Sequence, residues 1–140
     1  MKRTAVLLGT LLLAAAGCIE DPTPEEAYLI VQGEADKPVR VIVSTEFVAS
    51  VNEDGVTRIV LFAADTLVTT LPYEHRVRIE ENQRFFAETA RFDEDLQNIH
   101  MEVRIDEDVE FAEGGILIEN GPFRFVYSFN QRVTREIQVL

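Results

Sequence analysis

Between Ile99 and Ile105 every second residue is apolar (Ile99, Met101, Val103, Ile105), and the residues between them, His100, Glu102 and Arg104, are polar. A period of two marks a strand with one face buried and the other in water. The same alternation sets Val77 and Ile79 against Arg76, Arg78 and Glu80, and the aromatic row Phe123, Phe125, Tyr127 and Phe129 against Arg124 and Ser128. Earlier in the chain Leu29, Val31 and Gly33 share a parity. So do Val39, Val41, Val43 and Phe47, with Arg40, Ser44 and Glu46 on the other face. Ile137 and Val139 support a last strand, and no window sustains a 3.6-residue period.

Turn-forming clusters punctuate these runs: Asp36-Lys37-Pro38, Asn52 to Gly55, Glu81-Asn82-Gln83, Asp93-Glu94-Asp95 and Asn120-Gly121-Pro122. Their spacing predicts about eight or nine antiparallel strands. The expected fold is an all-β, immunoglobulin-like antiparallel β-sandwich, with a closed up-and-down β-barrel as the alternative.

The first residues are of a different kind. Lys2 and Arg3 precede an apolar run from Ala5 to Ala16, too short for a spanning helix of about 20 residues and of the right length for a signal peptide. Its end, Leu13-Ala14-Ala15-Ala16-Gly17-Cys18, resembles the lipobox of bacterial lipoproteins. That resemblance implies a signal peptide over residues 1–17 and acylation of Cys18, the single cysteine of the chain. Residues 18–26, with Pro22, Pro24 and four acids, read as a lipidated Cys followed by an acidic tether, and residues 27–140 as the sandwich domain. The position after Cys18 is Ile19 rather than the Asp that signals inner-membrane retention, which implies the outer membrane, facing the periplasm or the cell surface.

Removal of Lys2 and Arg3 takes the formal net charge from −12 to about −14. A domain so acidic repels phosphate backbones and anionic headgroups, so nucleic acid is excluded as an expected partner. The expected partners are the membrane, through the lipid, and an envelope protein.

The run Leu29 to Ala35, the alternating Val39, Val41 and Val43, Leu71-Pro72-Tyr73 before a strand, and Ile99 to Ile105 followed by Asp106-Glu107-Asp108-Val109 together resemble MmpS-type membrane-anchored domains. The resemblance spans residues 27–112 and implies an immunoglobulin-like sandwich that assists a lipid or small-molecule exporter. Tyr73 stands where that family usually has Trp, and the two family cysteines are absent.

Chemistry-bearing residues are sparse. Ser44, Ser50 and Ser128 lie outside any nucleophile elbow. His75 and His100 fall on strands of opposite parity, which argues against a shared zinc ion. Gly114-Gly115 lacks the Lys of a phosphate loop and reads as a turn. The acids Asp93, Asp95, Asp106 and Asp108 are read as solvated turn residues; they become Ca²⁺ ligands only if the fold brings both loops to one end. Ile59 to Ala63, Phe85-Phe86 and Ile116 to Ile118 are apolar at both parities, beyond what a two-layer core absorbs. Loop cover or bulges account for them, or a contact patch. The expectation is a non-catalytic, lipid-anchored binding or accessory module without a cofactor; the alternatives are an exporter accessory and a Ca²⁺-stabilised adhesion domain.

Overall fold

The computed structural model describes residues 22–140, so the expected signal peptide, the expected acylation site Cys18 and the start of the expected tether lie outside the described residues. Ten strands make up the fold: β1 (Glu26–Gly33), β2 (Pro38–Val51), β3 (Thr57–Thr70), β4 (Tyr73–Arg78), β5 (Arg84–Arg91), β6 (Gln97–Ile105), β7 (Asp108–Leu117), β8 (Phe123–Ser128), β9 (Gln131–Val133) and β10 (Ile137–Val139). They form a four-stranded sheet, β4-β1-β6-β7, and a six-stranded sheet, β10-β3-β2-β5-β8-β9, packed as a β-sandwich. Among the described residues no helix is long and apolar enough to cross a membrane.

The chain crosses repeatedly between the sheets, from β1 to β2, β3 to β4, β4 to β5, β5 to β6 and β7 to β8, so that β1 pairs with β4 and β6 and β2 pairs with β5 as well as with β3. An up-and-down barrel pairs each strand with its sequence neighbours, so this connectivity rules out that alternative. The pairing departs from the expectation of purely antiparallel strands at one place, because β10 runs parallel to β3.

The period of two has the anticipated result in β1 and β6. Leu29, Val31, Met101 and Val103 are fully buried and meet Val39, Val41, Phe85, Ala87, Phe125 and Tyr127 from the other sheet. The sequence parity fails in β2. Register shifts between Val43 and Phe47 form a bulge, stapled by Ser44, whose Oγ accepts from the Glu46 N–H and donates to the Ala63 carbonyl. A bulge inserts an unpaired residue and turns the strand over. Val39, Val41 and Val43 therefore face the space between the sheets, while Phe47 joins a second cluster with Ile59, Phe86 and Val126 on the opposite side of the six-stranded sheet.

That second cluster would lie open to water if the sheet were flat. Instead the sheet curls into a half-barrel: β9 and β10 occupy its two edges, yet only residues 134–136 separate them in the chain. Val133, Ile137 and Val139 close over Phe47, Ile59, Phe86 and Val126. The apolar pair Phe85-Phe86 is thus divided between two cores, both built entirely from residues 27–139. Glu88, 3% exposed and beside this second core, is paired with Arg40 and Arg124, and Arg124 also donates to the Ile137 carbonyl at 2.8 Å, tying β10 down.

Candidate functional site

The strand directions give the molecule two ends. At one lie the start of β1, the connections 52–56, 79–83 and 106–107, and the turn at 129–130. At the other lie 34–37, 71–72, 92–96 and 118–122. The nine residues of β6 connect these ends; at ~3.4 Å per residue they are about 27 Å apart.

At the first end the chain docks before β1 begins. Pro24 is buried and its carbonyl accepts from Gln83 Nε2; the Glu25 carbonyl accepts from the Ile79 N–H. Asp106, in a left-handed turn conformation with φ 55°, uses Oδ1 to accept the N–H groups of both Glu25 and Glu26, at 2.9 and 3.0 Å. Beside it Pro22, Pro24, Ile105, Asp108, Tyr127, Asn130 and Arg132 line a cleft of about 430 Å³. Arg132 is paired with Glu110 there, and the Tyr127 hydroxyl donates to Asn130 Oδ1. Burial pushes the Tyr127 phenol above the usual tyrosine range.

Asp93 and Asp95 are at the other end of β6. Asp93 Oδ1 accepts the Asp95 N–H, closing a turn. The structure does not bring Asp93 and Asp95 together with Asp106 and Asp108, and among the described residues no group of three or more metal-ligating side chains forms. His75 pairs with the core-facing Leu29 and stacks on Tyr73, whereas His100 pairs with Gln32 on the exposed face of the same sheet. The sheet separates them. Gly114 and Gly115, expected in a turn, lie inside β7: a Cβ at Gly115 would come within 3.3 Å of the Phe123 ring and one at Gly114 within 3.3 Å of the His100 ring. Close packing accounts for these glycines where a turn was expected.

The second end is a built platform. Gln97, 2% exposed, donates from Nε2 to the carbonyls of Glu34 and Lys37, and Lys37 Nζ donates to the Leu96 carbonyl at 2.8 Å. The connections 34–37 and 92–96, each of which crosses between the two sheets, are thereby fastened to each other. Phe92, Leu96, Ile116 and Ile118 lie at or near this end of the strands, each between 56% and 58% exposed. Gln97 pairs with Leu117 and Asn98 with Ile116, so Leu96 and Ile118 leave these two strands side by side. Glu34, Asp36, Asp93, Glu94, Asp95 and Glu119, all exposed, lie in the connections at the same end. The apolar doublet of Ile116 and Ile118 was visible in the sequence. Phe92 and Leu96 were missed, and their signal was their position bracketing the acidic turn Asp93-Glu94-Asp95.

Such a surface supplies apolar contact area and negative charge, which suits recognition of another molecule. Comparison with protein-family models, with curated proteins and with solved structures finds no match to this chain.

Proposed function

We propose that the chain is a lipid-anchored, non-catalytic binding or accessory module of the bacterial envelope, held at the outer membrane through Cys18 and engaging an envelope protein with its far end. The observation that carries this reading is the separation of the two ends. Pro22 and Pro24 lie at one, and Cys18 precedes them closely in the sequence, so an acyl group there would tether the chain by that end. The exposed Leu96 and Ile118, which flank the paired ends of β6 and β7, are at the other, about 27 Å further along β6. An anchor and a contact surface at opposite ends are what a tethered binding module requires.

The test is site-specific photo-crosslinking in native membranes, with the photoreactive residue at Leu96 or, separately, at Glu107 beside the anchored end. The reading expects a discrete protein adduct from position 96 and none from 107. Adducts from both positions alike, or from 107 alone, would remove it.

A further inference from the structure

A strand with no neighbour on one side leaves a row of free N–H and C=O groups there, which is a template for another strand. β3 has β2 along its whole length on one side, whereas on the other β10 covers only Thr57 to Ile59. Among the described residues no strand pairs with that second side from Val60 to Thr70. Resting on the proposed function, we infer that this open edge is completed by an extended segment of the envelope partner, added to β3 backbone to backbone.

The Ala63 carbonyl faces β2, where it accepts from Ser44 Oγ. Successive residues of an antiparallel ladder turn their backbone groups to opposite sides, so those of Ala64, Thr66 and Val68 point to the open one. All three residues are exposed. The remaining edges carry protection that this one lacks. β9 and β10 are 3 residues each, β4 is 6 residues long with Glu74, Arg76 and Arg78, and β7 carries Asp108, Glu110 and Glu113 and a register shift against β6. From Val60 to Thr70 β3 has one charged residue, Asp65, and neither Lys nor Pro, and it leaves Phe62 68% and Val68 48% exposed.

Free backbone groups at strand spacing call for another backbone, which the acyl chains of a lipid do not supply. The edge is nearly neutral in a chain of formal charge −12, so it selects a segment of low charge in extended form rather than a counter-charge. A second copy is the poorer occupant. Two β3 edges paired antiparallel would set the anchored end of one copy against the far end of the other, and two copies tethered in one membrane could not both stand on their anchored ends. The seam between β3 and β4 adds a second feature, a cavity of about 60 Å³ lined by Val43, Asp65, His75, Val77 and Phe85. A strand laid beside β3 turns alternate side chains toward that seam, where there is room for a small apolar one.

The experiment places a photoreactive residue at position 68 of the full chain in intact cells, with retention in the membrane fraction scored separately so that loss of the anchor is told apart from an empty edge. Irradiation is expected to give a discrete adduct to another protein, joined within an extended segment of about six residues or more that carries little charge. Thr66→Pro removes an outward N–H and sets a ring in its place, so it should cut the adduct at least about tenfold, whereas Thr66→Val keeps the N–H and should leave it. Thr66→Lys, a charge on the edge, should also lower it and stays readable if a thermal melt shows that Thr66→Pro unfolds the domain. No adduct, an adduct of two copies of this chain, an adduct to lipid or to a strongly charged segment, or a yield unchanged in both a folded Thr66→Pro and Thr66→Lys would overturn the inference. A discrete adduct from position 96 with none from position 68 would overturn it alone and leave the proposed function standing.

Discussion

Arg124 Nε lies 2.6 Å from Glu88 Oε2, across the pairing of β5 with β8 and beneath the C-terminal strand. The carboxylate is 3% exposed and also meets Arg40 at 3.2 Å. A buried carboxylate persists only with such partners, and removing one leaves the other charge uncompensated. Arg124→Met should therefore cost about 2 to 4 kcal/mol and loosen β10, which loses the bond to its Ile137 carbonyl. Replacing Glu88 by Leu together with Arg124→Met should cost less than Arg124→Met alone. Urea denaturation of the three proteins checks this; equal stability of parent and Arg124→Met would show that the pair is not a fastening.

The register of β6 gives a second expectation. Val103 is fully buried between Leu29 and Phe111, while His100 points into water on the other face. Val103→Asp should unfold the domain, since an unpaired buried charge costs several kcal/mol against a total of about 5 to 15. His100→Ser should change stability by less than about 0.5 kcal/mol. Circular dichroism and thermal melts separate the two, and similar damage from both would contradict the register.

Gly33 is the one glycine of β1, and a Cβ there would lie 2.7 Å from the Asn98 carbonyl oxygen and 2.8 Å from Leu71 Cδ1. Backbone cannot step aside as a long side chain can, so Gly33→Ala should destabilise by about 1 to 3 kcal/mol. Gly115→Ala faces only the Phe123 ring edge at 3.3 Å and should cost less. A melt in which Gly33→Ala equals or exceeds the parent would refute the close approach.

How much of this was legible in the sequence depended on whether a feature was periodic or positional. Ile99 to Ile105 announced β6 because alternation is a property of consecutive residues. Alternation alone puts Phe47 on the face of Val43, because nothing in Ser44-Thr45-Glu46 signals a bulge; the staple that makes it, from Ser44 to the Ala63 carbonyl, is long-range. The same holds for Phe86 and Glu88, whose burial depends on β9 and β10 curling over them, and for Gly114-Gly115, whose reason is Phe123 and His100 across space. Of the candidate site, the acids and Ile116 to Ile118 were visible, whereas the joining of two loops by Gln97 and Lys37 was not.

Asp106 supports a prediction about metal. Its carboxylate already accepts two backbone N–H groups, and Asp93 and Asp95 are about 27 Å away along β6. Asp106→Ala should cost about 1 to 2 kcal/mol, through the lost acceptor and the left-handed φ, and Asp106→Asn should retain most of the stability. Ca²⁺ and Mg²⁺ should raise the melting temperature of parent and variants by the same small amount, by screening alone. A saturable shift specific to Ca²⁺ and lost in Asp106→Asn would establish a site instead.

Tyr127 predicts the alkaline limit of the fold. Burial is the main cause that raises its phenol above the ordinary tyrosine value of about 10. The folded chain therefore keeps a proton that the unfolded chain loses, and stability is full below pH 10 and falls as pH rises through the window above it. Tyr127→Phe should show a shallower fall of stability between pH 10 and higher values, measured as the slope rather than the absolute stability, which also reflects the lost bond to Asn130. Parallel slopes for the two proteins would place the alkaline transition elsewhere.

The central claim is that the chain is a tethered module, and the mass of its processed form tests that most directly. Intact-mass and N-terminal peptide spectrometry of the protein extracted from bacterial membranes should find a chain beginning at Cys18 and carrying acyl groups, and Cys18→Ser should yield no such species. Acyl chains contribute ~0.8 kcal/mol per buried CH₂, so this species should resist a high-salt wash. A mature chain that begins after Cys18, or one that begins at Cys18 without acyl groups, would contradict the account.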